Sequence, residues 1–147
     1  MGSSASVAEL PGWARALLES SRVARLGLAD DRGDPRVLPI TYAVVENTIV
    51  TAIDHKRKSV SAERLARVRW LTARPRAALT VDHYEDDWSR LKWVQATGLI
   101  TIVDAADAAD AADAIAALTE RYAAYRDRPP VGPLLSLAPD RILWWRA

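Results

Sequence analysis

Eight cations fall between residues 56 and 76: Lys56, Arg57, Lys58, Arg64, Arg67, Arg69, Arg74 and Arg76. The only acid among them is Glu63, so this stretch carries +7 while the rest of the chain carries −6. A stretch of this kind can hold a phosphate or a carboxylate, because guanidinium and ammonium groups offer an anion both charge and hydrogen-bond donors. Lys56, Arg57 and Lys58 precede a predicted helix start, whose free N–H groups add positive potential. Arg64 and Arg67 follow at i, i+3 spacing and share a face of that helix. A nucleic-acid site is the weaker reading of one cationic patch on a chain whose net charge is +1.

Residues 81–94 read Val-Asp-His-Tyr-Glu-Asp-Asp-Trp-Ser-Arg-Leu-Lys-Trp-Val. Trp88 and Trp93 can wall a planar ring by stacking, although core packing is the better reading of Trp93 taken alone. Asp82, His83 and Asp87 are dense in acid but lack a metal-ligand pattern. Ser89, His83 and Asp87 lack the G-x-S-x-G elbow that would support a nucleophilic triad. Residues 36–42, Arg-Val-Leu-Pro-Ile-Thr-Tyr, form a third constellation. Pro39 marks an edge strand or a bulge, where backbone groups and apolar atoms can line a flat ring; an ordinary strand is the plainer reading. Neither a G-x-G-x-x-G nor a Walker loop occurs, which argues against Rossmann and P-loop nucleotide sites.

The elements that must position these residues come from a chain of 147 residues, the size of one domain or of a protomer completed by a second copy. Cysteine is absent, which excludes disulfides, thiolate metal sites and cysteine nucleophiles. Two histidines, His55 and His83, leave little for a histidine-rich metal site. No apolar run approaches the length of a membrane span, and the first residues lack the pattern of a signal peptide. A cytoplasmic protein is the default expectation, with residues 1–7 a flexible lead and residues 8–147 one domain.

Apolar spacing predicts helices over residues 8–21, from Ser59 or Ser61 to about residue 72, and from the Asp-Ala-Ala repeats at 104 through Tyr125. Alternation predicts strands over 25–30, 36–45, 48–53, 77–84, 91–103 and 141–146. Glu46-Asn47 suits a tight hairpin, and Gly98 suits a bulge or a close approach of backbones. Hairpins dominate this order, and helices are too few for a βαβ alternation. The expectation is a mainly β fold: about six antiparallel strands closing into a small barrel with helices outside it.

The strings Arg36-Val-Leu-Pro-Ile-Thr-Tyr-Ala, Arg74-Pro-Arg-Ala-Ala-Leu-Thr-Val-Asp-His-Tyr and Asp87-Trp-Ser-Arg-Leu-Lys-Trp-Val, in this order of elements, resemble the pyridoxamine 5′-phosphate oxidase-like split β-barrel flavin and deazaflavin oxidoreductases. Within them the chain is most similar to the branch of probable F420-dependent enzymes. The resemblance implies a homodimer with the cofactor at the subunit interface. It implies a phosphate grip on Lys56, Arg57 and Lys58, with Arg64 and Arg67 next to it. The strand along the ring edge would be residues 37–42, with Val37, Pro39, Ile40 and Thr41 as cofactor-binding residues. Trp88 matches a tryptophan beside the cofactor, and the partner would contribute near Trp88 or the final strand. The ending Asp140-Arg-Ile-Leu-Trp-Trp-Arg-Ala lacks the Arg-Leu-x-Pro of true pyridoxamine phosphate oxidases, so that reaction is not expected.

The implied function is a coenzyme F420-dependent oxidoreductase that passes a hydride to a small unsaturated organic substrate. FMN with flavin reductase or oxidase activity, and a non-catalytic carrier of F420 or flavin, are the competing readings. Neither a metal, a nucleic acid nor a membrane is an expected partner. The proton in such a reaction can come from Tyr42, His83, Tyr84 or solvent, and the sequence does not choose among them. Charge reversal at Lys56 and Lys58 together is expected to weaken cofactor binding and leave the fold intact.

Overall fold

The computed structural model describes residues 1–53, 62–104 and 108–147, with the side chains of residues 62–65, 108 and 110 outside that description. The elements, in chain order, are β1 (Gly2–Ser4), α1 (Gly12–Ser20), β2 (Ala24–Ala29), β3 (Pro35–Ile40), β4 (Ala43–Val45), β5 (Thr48–Ala52), α2 (Ala62–Ala73), β6 (Arg76–His83), β7 (Lys92–Val103), α3 (Ala108–Arg121), α4 (Ala123–Asp127) and β8 (Leu134–Arg146). All described strands join one antiparallel sheet in the order β3-β2-β6-β7-β8-β5-β4, with β1 added along β8.

Period-two alternation sends Ala24, Leu26 and Leu28 of β2, Ala77, Leu79 and Val81 of β6, and Val94 and Ala96 of β7 to one face, where all are buried. Ile40 and Ile49, from strands near opposite ends of the sheet order, join the same cluster. The sheet is therefore curled around a common interior, in keeping with the small barrel expected from the alternation and the split β-barrel that the resemblance implies. Leu17 and Leu18 of α1 and Trp70 and Leu71 of α2 complete that interior. A second cluster lies on the opposite face of the sheet. There Ala111, Ala114 and Leu118 of α3 and Tyr125 of α4 cover Ala43, Val50, Ala52 and Leu134.

Four boundaries differ from the sequence expectation. Residues 2–4, read as part of a flexible lead, pair with Ile142, Leu143 and Trp144 as β1. The strand expected over 36–45 breaks at Thr41 and Tyr42 into β3 and β4. The long helix expected through Tyr125 breaks at Tyr122, whose backbone is extended (φ −120°, ψ 120°). The last strand starts at Leu134, well before residue 141. Pro139 is tolerated inside it because the β7–β8 register shifts there, leaving Asp140 as an extra residue between the pairs Gly98–Pro139 and Thr97–Arg141. The Asp140 carboxylate takes both guanidinium nitrogens of Arg76, at 2.7 and 3.0 Å, and this holds its carboxyl below the usual carboxylate range.

β3 is an edge strand among the described residues. Pro35 and Pro39 face Ala29 and Arg25 of β2 but have no N–H to donate, so the ladder runs through Arg36, Leu38 and Ile40. The carbonyls of Val37 and Pro39 and the N–H of Val37 thus point away from β2.

Tyr42 is fully buried, and its hydroxyl donates to the carbonyl of Leu18. Burial raises its phenol from the usual 10 to about 12. The protonated phenol thus stabilises the fold fully below pH 10, and this contribution is lost as pH rises from 10 towards 12. The loss amounts to about 2 kcal/mol. Urea unfolding at pH 9 and pH 11.5 is expected to show a steeper alkaline loss in the native chain than in Tyr42→Phe.

Candidate functional site

The break between β3 and β4 opens one wall of a cleft of about 290 Å3. Pro39, Ile40 and Thr41 form that wall, and Thr51, Ala52, Ile53, Arg67, Tyr122, Ala124 and Tyr125 complete the lining. The local sequence explains each contribution. The edge strand ends at Ile40, where its alternation places that side chain inside the barrel. α2 presents Arg67 on one side while Ala66, Trp70 and Leu71 enter the interior. Tyr122 and Tyr125 reach the cleft because the helix breaks between Arg121 and Ala123.

Three hydroxyls hold the wall. Thr51 Oγ1 donates to the Thr41 carbonyl at 2.6 Å. Tyr125 Oη and Thr41 Oγ1 lie 3.0 Å apart. Tyr122 Oη accepts from the Tyr42 N–H at 3.1 Å and lies 2.8 Å from the Arg22 carbonyl and 3.1 Å from that of Tyr42. The cleft thus combines a half-buried guanidinium, an apolar lining and an edge of strand backbone. Such a donor set can take a flat, polar-edged ring bearing an anionic tail.

Of the residues expected to bind a cofactor, Pro39, Ile40, Thr41 and Arg67 line this one cleft. Val37 lies two residues along the same edge strand, with its side chain 68% exposed and outside the cleft lining. Lys56, Arg57 and Lys58 lie outside the described residues, as does the side chain of Arg64, whose backbone belongs to α2. Trp88 stands on a short 3-10 turn, residues 88–90, and is 77% exposed. It is not among the residues lining this cleft.

Tyr122, Tyr125 and Thr51 were not singled out by the sequence reading. Their signal was faint: two tyrosines at i, i+3 resemble an ordinary helical stripe, and Thr51 sits in an unremarkable strand. The proton-donor candidates also separate. The Tyr42 hydroxyl is committed to Leu18 in the core, with its proton held by burial. His83 is bonded to Glu85, which also pairs with Arg90 at 3.1 Å, and Tyr84 is exposed outside the cleft. Among the described residues, no three of His, Asp and Glu gather in a way that can hold a metal. No helix among them is long and apolar enough to cross a membrane.

Solved structures share this fold. A heme-binding protein from Mycobacterium smegmatis is 23% identical with a TM-score of 0.71, over 90% of this chain and 52% of that one. This chain therefore spans about half of its length. A FAD-binding protein from Mesorhizobium loti is 18% identical with a TM-score of 0.65, over 92% and 94% of the two chains. An F420 reductase is 19% identical with a TM-score of 0.65, over 91% and 98%. At these identities the likeness is one of fold. No curated protein matches the chain. The family model described as pyridoxamine 5′-phosphate oxidase matches residues 13–142, and the chain, with its curled antiparallel sheet and the cleft at the β3–β4 break, belongs to that family.

Proposed function

We propose that the chain is an oxidoreductase that binds coenzyme F420 in the cleft and passes a hydride between it and a small unsaturated organic substrate. The observation that carries this reading is the meeting of the edge-strand residues Pro39, Ile40 and Thr41 with Arg67 across one cleft. When bound, the reduced deazaflavin supplies a hydride from its ring carbon. The protein binds, orients and shields it. Arg67 holds the anionic tail, and the outward carbonyls of the edge strand meet the polar rim of the ring. Pro39, Ile40 and Ile53 exclude water from the ring face, which favours the close approach that hydride transfer requires.

The site is completed by a second copy of the chain. On the face of β7 and β8 opposite Val94 and Ile142, the half-buried Trp93 and Trp145 are register partners, beside the half-buried Leu143, itself opposite Gln95. An apolar patch of this type marks an interaction surface. Tyr84 and Trp88 stand exposed beyond the end of β6. From there a partner's Trp88 reaches the cleft. Sedimentation at micromolar concentration is expected to show twice the chain mass, and a monomer would overturn the shared site.

The deciding experiment titrates the protein with F420, FMN and heme in parallel. The fluorescence of the first two cofactors and the Soret band of heme serve as readouts. Tighter binding of F420 supports the reading. Tighter binding of FMN moves the chain to the flavin reductases or oxidases, and binding of heme alone overturns both. F420 that binds tightly and turns over with no acceptor marks a carrier.

A further inference from the structure

The break at Thr41 and Tyr42 takes these residues out of the β ladder, and their backbone groups must find other partners. Thr51 serves the Thr41 carbonyl, and Tyr122, 80 positions away in sequence, serves Tyr42. The Tyr122 phenol oxygen accepts from the Tyr42 N–H at 3.1 Å and shares its one proton between the carbonyls of Arg22, at 2.8 Å, and Tyr42, at 3.1 Å. It reaches that point only because the helix stops at Arg121 and Tyr122 turns extended. Its T-shaped contact with Tyr125, with centroids 5.8 Å apart, sets the second cleft tyrosine at right angles to it.

Arg121 holds this arrangement. Its guanidinium lies over the rings of Tyr42 and Tyr122, 4.7 and 5.6 Å from their centroids. It donates to the carbonyls of Glu19 and Ser21 at the end of α1, and its own carbonyl accepts from Arg22 at 2.6 Å. Its Nε is buried with no hydrogen-bond partner among the described residues. A buried donor without an acceptor is a cost to stability. A salt-linked surface arginine and an unbroken helix would avoid that cost.

We propose that Tyr122 is a positioning residue for the bound cofactor ring, that it fixes the backbone of residues 39–42 against which the ring rests, and that Arg121 locks it in place. The α3–α4 break then belongs to the binding site rather than to the fold. This inference rests on the cofactor reading above.

The test measures affinity and the absorption maximum of bound F420 and FMN for the native chain, Tyr122→Phe, Arg121→Lys and Val94→Ala. Val94 is fully buried in the central ladder, opposite Val81 and Trp144, and does not line the cleft, so its truncation reports loss of stability alone. Tyr122→Phe is expected to weaken binding of the preferred cofactor about tenfold and to move its absorption maximum towards that of the free cofactor. Arg121→Lys is expected to do the same to a smaller degree, and it carries the test should Tyr122→Phe fail to fold. Val94→Ala is expected to melt earlier than the native chain with affinity and spectrum unchanged. Native-like affinity and spectrum in the folded Tyr122 or Arg121 variant overturn the inference, as does an equal loss of affinity in Val94→Ala. A native chain that binds neither cofactor overturns the cofactor reading itself, and the inference with it.

Discussion

Gly98→Ala is expected to be the most destabilising single-methyl change in this chain. A Cβ at residue 98 would lie well inside contact with the Ala138 carbonyl oxygen, 2.8 Å from its carbon and 2.9 Å from the Pro139 Cα. All three atoms are backbone, so no side chain can swing aside. Relief requires β7 and β8 to separate where their register shifts, in a ladder that runs from Lys92–Arg146 to Val103–Leu134. Overpacking of this kind costs about 3 kcal/mol or more. That is a large share of a typical folding free energy of about 5–15 kcal/mol. A melting temperature roughly 10 °C lower than native is expected by calorimetry. Gly27→Ala is the control. Its Cβ would meet only the Ala78 carbonyl oxygen, at an ordinary 3.7 Å. A native-like melting temperature for Gly98→Ala would show that the two strands can part freely.

Arg67→Glu is expected to have the largest effect on cofactor binding. Among the described residues lining the cleft, Arg67 is the one that carries a positive charge. Losing a charge-assisted hydrogen bond and placing a carboxylate beside an anionic tail together cost about 3 kcal/mol, or at least a hundredfold in affinity. Arg67→Met is expected to fall between the two, and rising salt should narrow the difference between native and variant. Arg69→Glu is the comparison. Arg69 is two residues along α2, on another side of the helix, and its guanidinium is paired with Asp31 at 2.7 Å. That substitution removes an exposed ion pair of little energetic weight and should leave affinity within a factor of two. Equal losses at both positions would indicate a general effect of charge on the protein rather than a grip in the cleft.

The parts of the fold visible in the sequence are those fixed by local periodicity. Leu26 and Leu28, or Leu79 and Val81, alternate because one face of their strand is inside the barrel, and no distant residue is needed to see it. Gly98 was readable for the same reason, since a glycine within a long apolar strand has few other uses. The break at Thr41 and Tyr42 was hidden because alternation continues through it, and the phenol that replaces the ladder comes from Tyr122. The early start of β8 was hidden by Pro133 and Pro139, which read as loop until the register shift gives Pro139 a place. β1 has no apolar pattern at all. It exists because Gly2 lets the backbone lie against the Trp144 ring, where a Cβ would collide.

The candidate site divides along the same line. Pro39, Ile40 and Thr41 were marked by a proline in an edge strand, and Arg67 by the local excess of charge. Both signals are contained in short stretches of sequence. Tyr122, Tyr125 and Thr51 carry no such mark, because their roles are defined by a corner of backbone that only the folded chain assembles. Trp88 was marked by motif, and within one chain it stands exposed, outside the cleft lining.

The two prolines of β3 also bear on what the open edge of the sheet can pair with. An unpaired edge strand is the template from which strand-by-strand polymerisation begins. Pro35 and Pro39 occupy outward positions of that edge and remove two of the donors that an incoming strand would need. An approaching strand would find only the Val37 N–H between them. The edge can still offer carbonyls to a small ligand, but it has few donors for an incoming strand, which disfavours aggregation through this edge.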